Sequence, residues 1–140
     1  MAYVIFDLDG TLAVINHRLH LLPDWDAFFD ACDEDEPNWP VIHTYHAIKN
    51  AGRHDVEVWS GRSDAVRNKT EVWLERHLGH LPPLRMRKRN DYIADNALKE
   101  RWLDEIGVAS VACVFDDRDQ VVAMWRRRGV ACFQVAPGDF

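Results

Sequence analysis

Cysteine is scarce: the 140 residues hold three, Cys32, Cys113 and Cys132, an odd number with no Cys-x-x-Cys spacing. That argues against both a disulfide framework and a zinc site, so the thiols are expected to be reduced and mostly in the core. No apolar run approaches the roughly 20 residues of a membrane-spanning helix. The first residues also lack the basic start and cleavage site of a secretory leader. The expected location is the cytoplasm, with no membrane partner. Excess positive charge is missing too. Seventeen Lys and Arg against 23 Asp and Glu give a net charge of -6, unfavourable for a protein that holds phosphate backbones by charge alone. No Gly-x-x-x-x-Gly-Lys-Ser/Thr loop occurs, so these residues carry no P-loop cradle for ATP. Repeats and low-complexity segments are absent as well.

What is present fits one globular domain spanning residues 1–140. Hydrophobic residues make up 47% and charged residues 29%, the balance of a chain that buries a single core. The net charge hides an asymmetry. Residues 24–36 carry seven acids and no base, whereas Arg85, Arg87, Lys88 and Arg89 fall within five residues. Either block reads first as a solvated face.

Apolar strands alternate with amphipathic helices almost throughout, which predicts an α/β fold. Strands are expected at Tyr3–Phe6, Val56–Trp59, Leu84–Arg87, Val111–Phe115 and Ala131–Val135, most of them continuously apolar, as in a parallel sheet covered on both faces. Helices are expected from about Pro40 to Ala51, from after Ser63 to Leu78, from after Asp91 to Gly107, and from the Asp116–Asp117 pair to Gly129. Residues 12–39 show no clear pattern. The layout is a three-layer, Rossmann-like sandwich with a mostly parallel sheet of about five strands, in which ligands bind at the carboxyl ends of the strands.

The residues able to do chemistry fall at those ends. Asp7-Leu8-Asp9-Gly10-Thr11 follows the first strand. Residues two apart on a strand point the same way, so Asp7 and Asp9 can converge on one ligand as nucleophile and acid/base, while Gly10 permits a sharp turn. An Asx turn would explain one Asp and the Gly, but not both acids. Ser60-Gly61-Arg62, at a strand-to-helix turn, offers a hydroxyl and amides to phosphate oxygens, although Ser and Gly are commonplace there. Lys99 lies four residues after Asp95 on one helix face. An ordinary surface ion pair is the default reading, and the alternative is the ammonium that a carboxylate-rich phosphate site needs. Asp116–Asp117 suits either a helix N-cap or, with Asp7 and the Asp9 carbonyl, a hard-cation site.

Taken in order, Asp-x-Asp-Gly-Thr, Ser-Gly-Arg, Lys and Asp-Asp resemble the signature of the haloacid dehalogenase (HAD) phosphohydrolases over most of the chain. The two ends, Asp7–Ala13 with Asn16 and Arg18, and Phe115–Phe140, resemble the phosphatase domain of bacteriophage polynucleotide kinase/3′-phosphatases. That resemblance implies Asp7 as nucleophile, Asp9 as general acid/base, Thr11, Arg18, Ser60, Gly61 and Arg62 as phosphate or substrate ligands, and Asp95 orienting a phosphate-binding Lys99. It implies Mg2+ held by Asp7, Asp9, Asp116 and Asp117. For Arg18, a surface role is an equal alternative.

The implied reaction is Mg2+-dependent removal of a 3′-terminal phosphate from DNA or RNA through an aspartyl-phosphate on Asp7. A separate kinase or ligase would act with it, since no kinase loop is present. The stretch from Thr11 to Ser60 leaves little or no room for a cap domain, and an open crevice suits a polymer end, with the Arg85–Arg89 run touching its backbone. The competing function is a capless phosphatase of nucleotides or other small phosphomonoesters, which the acidic residues 24–36 favour by repelling a polyanion. A catalytically silent HAD-like scaffold would not need every reacting group. Trp25, Trp39 and Trp59 could stack on bases, though tryptophan is more often core. The histidine pairs His17/His20, His43/His46 and His77/His80 lack the acids or cysteines of a transition-metal site.

Overall fold

The first apolar run becomes the central strand of a five-stranded parallel sheet. A computed structural model describes all residues, Met1–Phe140. The elements in chain order are β1 (Tyr3–Phe6), β2 (Ala13–Val14), α1 (Trp25–Asp30), β3 (Glu36–Pro37), α2 (Trp39–Ala51), β4 (Asp55–Ser63), α3 (Arg67–Leu78), β5 (Leu84–Arg87), α4 (Asp95–Ile106), β6 (Val111–Asp116), α5 (Asp119–Arg127) and β7 (Cys132–Gln134). Short 3-10 turns cover Asn16–Leu21, Ala31–Glu34, Asp64–Val66 and Val108–Ser110. The strand order is β5-β4-β1-β6-β7. The chain therefore builds outward from β1 through β4 to β5, then returns to lay β6 and β7 on the other side. That reversal is a topological switch point, and it places the carboxyl ends of β1 and β6 side by side.

Period-two alternation along the strands sets the three layers. Val4, Phe6, Val56 and Val58 face Val41, Ile42 and Tyr45 of α2 and Trp73, Leu74 and Leu78 of α3. Ile5, Trp59 and Val114 face the opposite way, onto Leu98, Trp102 and Leu103 of α4 and Val121, Val122 and Trp125 of α5. Each such fully buried side chain stabilises the fold by about 1.5–3 kcal/mol. No helix is long and apolar enough to cross a membrane. The three cysteines are free, and burial pushes every one of their thiols up, Cys132 to about 12.

Three boundaries at the carboxyl end of the sheet differ from the sequence reading. β4 runs on to Ser63, so Ser60-Gly61-Arg62 lies within the strand, where its pairing with β5 is irregular, rather than at a helix N-terminus. α4 starts at Asp95 instead of just after Asp91. α5 starts at Asp119, and neither Asp116 nor Asp117 caps it: the Asp116 Oδ1 turns back to accept from the backbone N of Asp117 at 2.8 Å. In the unreadable stretch, β2 and β3 pair antiparallel and flank a small helical insert that contains α1.

The tryptophans divide. Trp59 is fully buried, whereas Trp25 is 36% and Trp39 51% exposed. The basic run divides as well. Arg85 turns away to Glu105 at 2.6 Å and over the Trp59 ring, while Arg87, Lys88 and Arg89 line the crevice at the switch point.

Candidate active site

Two carboxylates, two residues apart at the end of β1, sit in opposite electrostatic surroundings. Asp7 is anchored by its backbone N donating to the Phe115 carbonyl at 2.9 Å, which ties the end of β1 to β6. Lys99 Nζ donates to Asp7 Oδ1 at 2.7 Å and to Asp116 Oδ2 at 3.0 Å. Thr11 Oγ1 donates to Asp7 Oδ2 at 3.0 Å. Asp95 Oδ2 lies 3.9 Å from the ammonium. Lys99 is 1% exposed, so the surface ion pair that its spacing from Asp95 suggested is not what forms. The amphipathic face of α4 carries Lys99 inward, where residues distant in the sequence receive it.

Burial, then the Asp116 charge, push the Asp7 carboxyl well above the usual carboxylate range against the pull of Lys99. Burial and Asp116 likewise push Asp117 up to about 7. Burial lowers the Lys99 ammonium, but Asp116 and Asp7 more than reverse it and hold it well above its usual value. Asp7, Asp116 and Asp117 bring carboxylate oxygens within 4.8 Å of one another. Asp117 Oδ1 is buried with no hydrogen-bond partner. Three carboxylates facing one ammonium leave two negative charges in excess, and a hard divalent cation takes oxygen donors of this kind. The residues fit such an ion.

Asp9 belongs to a second network. Arg18 donates through Nη2 to Asp9 Oδ1 at 2.7 Å, and Arg62 through Nε at 2.8 Å. Burial raises the Asp9 carboxyl, but Arg62 and Arg18 outweigh it and hold it below the usual range. Both guanidiniums are fully buried. Arg18 also donates to Asp35 and the Phe28 carbonyl, and Arg62 to Asp35 and Thr70. The two arginines named as phosphate ligands thus direct nearly all their donors at protein acceptors.

The residue between them, Asp35, was missed by sequence reasoning. It lies in the acidic stretch read as a solvated face, yet its side chain has no exposure and accepts from Arg18, Arg62 and His17. No local signal marks it, because its partners lie 17 to 27 residues away in the sequence. Its neighbours in that stretch behave as expected of surface acids: Asp24 caps α1, and Asp30 pairs with Lys69.

Ser60 is buried, its Oγ accepting from the Arg62 backbone N at 3.1 Å. Gly61 and Gly10 are close-approach positions. A Cβ on Gly10, which has φ +82, would overlap the Asp117 carboxylate, and one on Gly61 would overlap the Asp95 carboxylate. Gly61→Ala is therefore expected to displace Asp95 from beside Lys99. The expected outcome is a stability loss of about 1–3 kcal/mol with at least about a tenfold fall in turnover, read by thermal melting and phosphate release.

Comparison with known proteins identifies the family. The family described as the polynucleotide kinase PNKP phosphatase domain matches residues 1–140. A putative bifunctional polynucleotide kinase/RNA ligase of Autographa californica nuclear polyhedrosis virus is 31% identical over 129 residues, 88% of this chain and 17% of that protein. Two solved structures of a Pnkp1/Rnl/Hen1 complex, one described as an RNA repair complex, contain chains 38% and 41% identical to this one. Their TM-scores are 0.86 and 0.85, covering 99% of this chain and 43% and 47% of theirs. This chain thus spans less than half the length of those relatives. A putative beta-phosphoglucomutase from Thermotoga maritima, 13% identical with a TM-score of 0.62 over 96% of this chain and 85% of that one, shares the fold. The chain belongs to the family of polynucleotide kinase phosphatase domains, within the HAD phosphatases.

Proposed function

We propose that residues 1–140 form one phosphatase domain that removes a 3′-terminal phosphate from DNA or RNA through a covalent aspartyl-phosphate on Asp7. The observation that carries this reading is the placement of Asp7 and Asp9 at the end of β1 in two separate hydrogen-bond networks, with Asp7 beside Lys99, Asp116 and Asp117. Lys99 and Thr11 aim the Asp7 carboxylate, while the arginine pair fixes Asp9.

In the first step an Asp7 carboxylate oxygen bonds to phosphorus as the bond to the 3′ oxygen breaks. The departing oxygen takes the proton carried by Asp9. In the second step Asp9, ionised again, takes a proton from water. The water oxygen bonds to phosphorus, the Asp7–phosphate bond breaks, and inorganic phosphate leaves. The low-lying Asp9 carboxyl suits the base role of this second step. Lys99, Ser60 and Gly61 border the phosphate, while Arg18, Arg62 and Asp95 act by holding Asp9 and Lys99.

The cation the site fits is Mg2+, held by Asp7, Asp116 and Asp117 with the Asp9 carbonyl, and when bound it offsets the charge between phosphate and carboxylate. The Asp117 value near 7 gives a pH prediction. Its folded value lies above its unfolded one, so that contribution to stability is present below about pH 4 and is lost as pH rises through about 7. Mg2+ must displace the Asp117 proton, so added Mg2+ is expected to raise the Tm more at about pH 8 than at about pH 5.5. At a hundredfold excess over Kd the stabilisation is about 2.7 kcal/mol. Asp117→Asn should flatten the pH dependence, and equal shifts at both pH values would reject this cation site.

The test of function is phosphate release, with Mg2+, from a 3′-phosphorylated oligonucleotide, its 5′-phosphorylated isomer and a 3′-mononucleotide. A strong preference for the 3′-phosphorylated polymer is expected. Arg89→Ala should weaken oligonucleotide turnover more than mononucleotide turnover, since Arg89 lines the crevice. The second reading, a phosphatase of nucleotides or other small phosphomonoesters, is favoured by Asp26, Asp30 and Asp91, which line the same crevice. Equal or better release from the mononucleotide would establish it. The 3′-hydroxyl end produced is a substrate for end joining, so a ligase, with a kinase for 5′ ends, is the partner class proposed.

A further inference from the structure

Arg87 belongs to the basic run Arg85–Arg89 and lines the crevice, yet its side chain is only 11% exposed. All three nitrogens of its guanidinium face protein acceptors. Nε donates to the Gly61 carbonyl at 2.8 Å, and Nη1 donates to the Ile93 carbonyl at 2.6 Å and the Asp91 carbonyl at 3.3 Å. Nη2 stands 3.6 Å from Asp95 Oδ1. Lys88 and Arg89, next along the chain, are exposed.

Three segments meet at this fork, and each lacks regular support of its own. β4 and β5 fall out of register between Ser60 and Ser63, so Gly61 and Arg62 bulge from the strand where its ladder is interrupted. Asp91–Ala94 forms neither helix nor strand, and main-chain carbonyls outside regular structure must find donors elsewhere. α4 begins at Asp95 with no capping side chain, so the direction in which Asp95 leaves the backbone depends on the path of the segment before it. A guanidinium suits this place because its donors lie in one rigid plane, which an ammonium on a flexible stem does not reproduce.

Asp95 links the fork to the reaction centre. Its Oδ1 is buried with no hydrogen-bond partner, and a Cβ on Gly61 would overlap that same oxygen. Its Oδ2 lies 3.9 Å from Lys99 Nζ and 4.0 Å from Arg118 Nη1. Packing against Gly61 and cations at a distance therefore place this carboxylate, which moves when Gly61 or Arg87 moves. Lys99 in turn donates to Asp7 at 2.7 Å. We propose that Arg87 is a positioning residue for the phosphatase reaction and not a contact to the substrate backbone: it locks the β4 bulge, the Asp91–Ala94 segment and Asp95 into one unit that aims Lys99 at Asp7. This rests on the roles of Asp7 and Lys99 given above. Arg87 touches no reacting atom, so its loss falls on kcat, with or without a polymer chain on the ester.

The test assays R87A, below its melting temperature and with Mg2+, on a 3′-phosphorylated oligonucleotide and on a 3′-mononucleotide, which has no phosphodiester backbone. The expected result is a fall in kcat of about ten- to hundredfold on both, with KM within about twofold of wild type. A loss confined to the oligonucleotide, or carried by KM, makes Arg87 a backbone contact and overturns the proposal. R87K keeps the charge without the fork and should recover little of the loss. Wild-type kcat in R87K overturns the proposal, and R87K decides the matter alone if R87A does not fold. A double-mutant cycle with D95N separates aiming from general support of the fold. If Arg87 acts through Asp95, the loss caused by R87A is smaller in D95N than in wild type by about twofold or more, whereas fully additive losses reject it. K99A probes the reading beneath and should abolish turnover of both esters. Near wild-type turnover in K99A removes the role of Lys99 and this proposal with it, while loss in K99A with none in R87A rejects the proposal alone.

Discussion

Asp7→Asn is expected to leave a folded protein whose phosphate release falls by about 10⁴-fold or more, because an amide does not form the covalent intermediate on which both steps depend. The fold should survive the change. Asn keeps the size of the side chain and an oxygen that accepts from Lys99 or Thr11, while Lys99 retains Asp116 at 3.0 Å. Removing one of three crowded carboxylates also relieves the repulsion that, with burial, raises Asp7 and Asp117. Melting within a few degrees of wild type, together with no label retained from a phosphate-labelled substrate after acid quenching, is the expected pair of results. Turnover within tenfold of wild type would sink the covalent mechanism. A variant that no longer folds would show instead that Asp7 is the main counter-charge of Lys99. Asp9→Asn tests the other role. It removes the proton donor but not the nucleophile, so a small residual burst of phosphoenzyme from a substrate with a good leaving group is expected there and not from Asp7→Asn.

The parts of this molecule that were legible in the sequence are those whose signal is local. Tyr3–Phe6 is a buried strand because four apolar residues run into an Asp-x-Asp turn, and the same logic marks Val111–Phe115 before Asp116. Strand ends of a parallel sheet converge, so the meeting of Asp7 and Asp116 follows from topology once the strands are placed. What was not legible depends on pairing across the chain. Lys99 and Asp95 have the spacing of a surface ion pair, and only the partner 92 residues away, Asp7, turns that spacing into a buried cluster. Arg18 and Asp35 lie in a stretch with no helix or strand period, built from 3-10 turns and a six-residue helix, so neither burial nor partners could be read from periodicity. A cluster of acids on paper does not reveal which one faces inward. The same limit explains β4, whose apolar run ends at Trp59 while the strand continues through polar residues to Ser63 because the carboxyl end of the sheet is the site itself.

Asp35→Ala should be the most damaging change outside the reacting residues. Asp35 Oδ1 accepts from Arg18 Nε at 2.8 Å and its Oδ2 from Arg18 Nη2 at 2.7 Å and Arg62 Nη2 at 2.9 Å, all without solvent exposure. Its backbone also takes part, the carbonyl accepting from Trp73 Nε1 at 2.8 Å, but that bond survives substitution. Two buried cations are balanced by two carboxylates, Asp9 and Asp35. Removing one leaves an uncompensated guanidinium charge inside the protein, a cost of about 3–5 kcal/mol. For a chain of this length that lowers the Tm by on the order of 10 °C or more. Asp35→Asn separates packing from charge. It keeps the shape and one acceptor, yet returns both guanidiniums to Asp9 alone, which holds that carboxyl further down and leaves less of it protonated for the first step. Turnover of Asp35→Asn, measured well below its melting temperature, should therefore fall by about tenfold or more in kcat with little change in KM. The first step should suffer more than hydrolysis of the phosphoenzyme, because only the first needs the proton. A coupling of 0.5 kcal/mol or more in a double-mutant cycle between Asp35→Asn and Asp9→Asn would show that the two carboxylates act through the shared arginines. Additive effects, or wild-type kcat in a folded Asp35→Asn, would reduce the network to scaffolding.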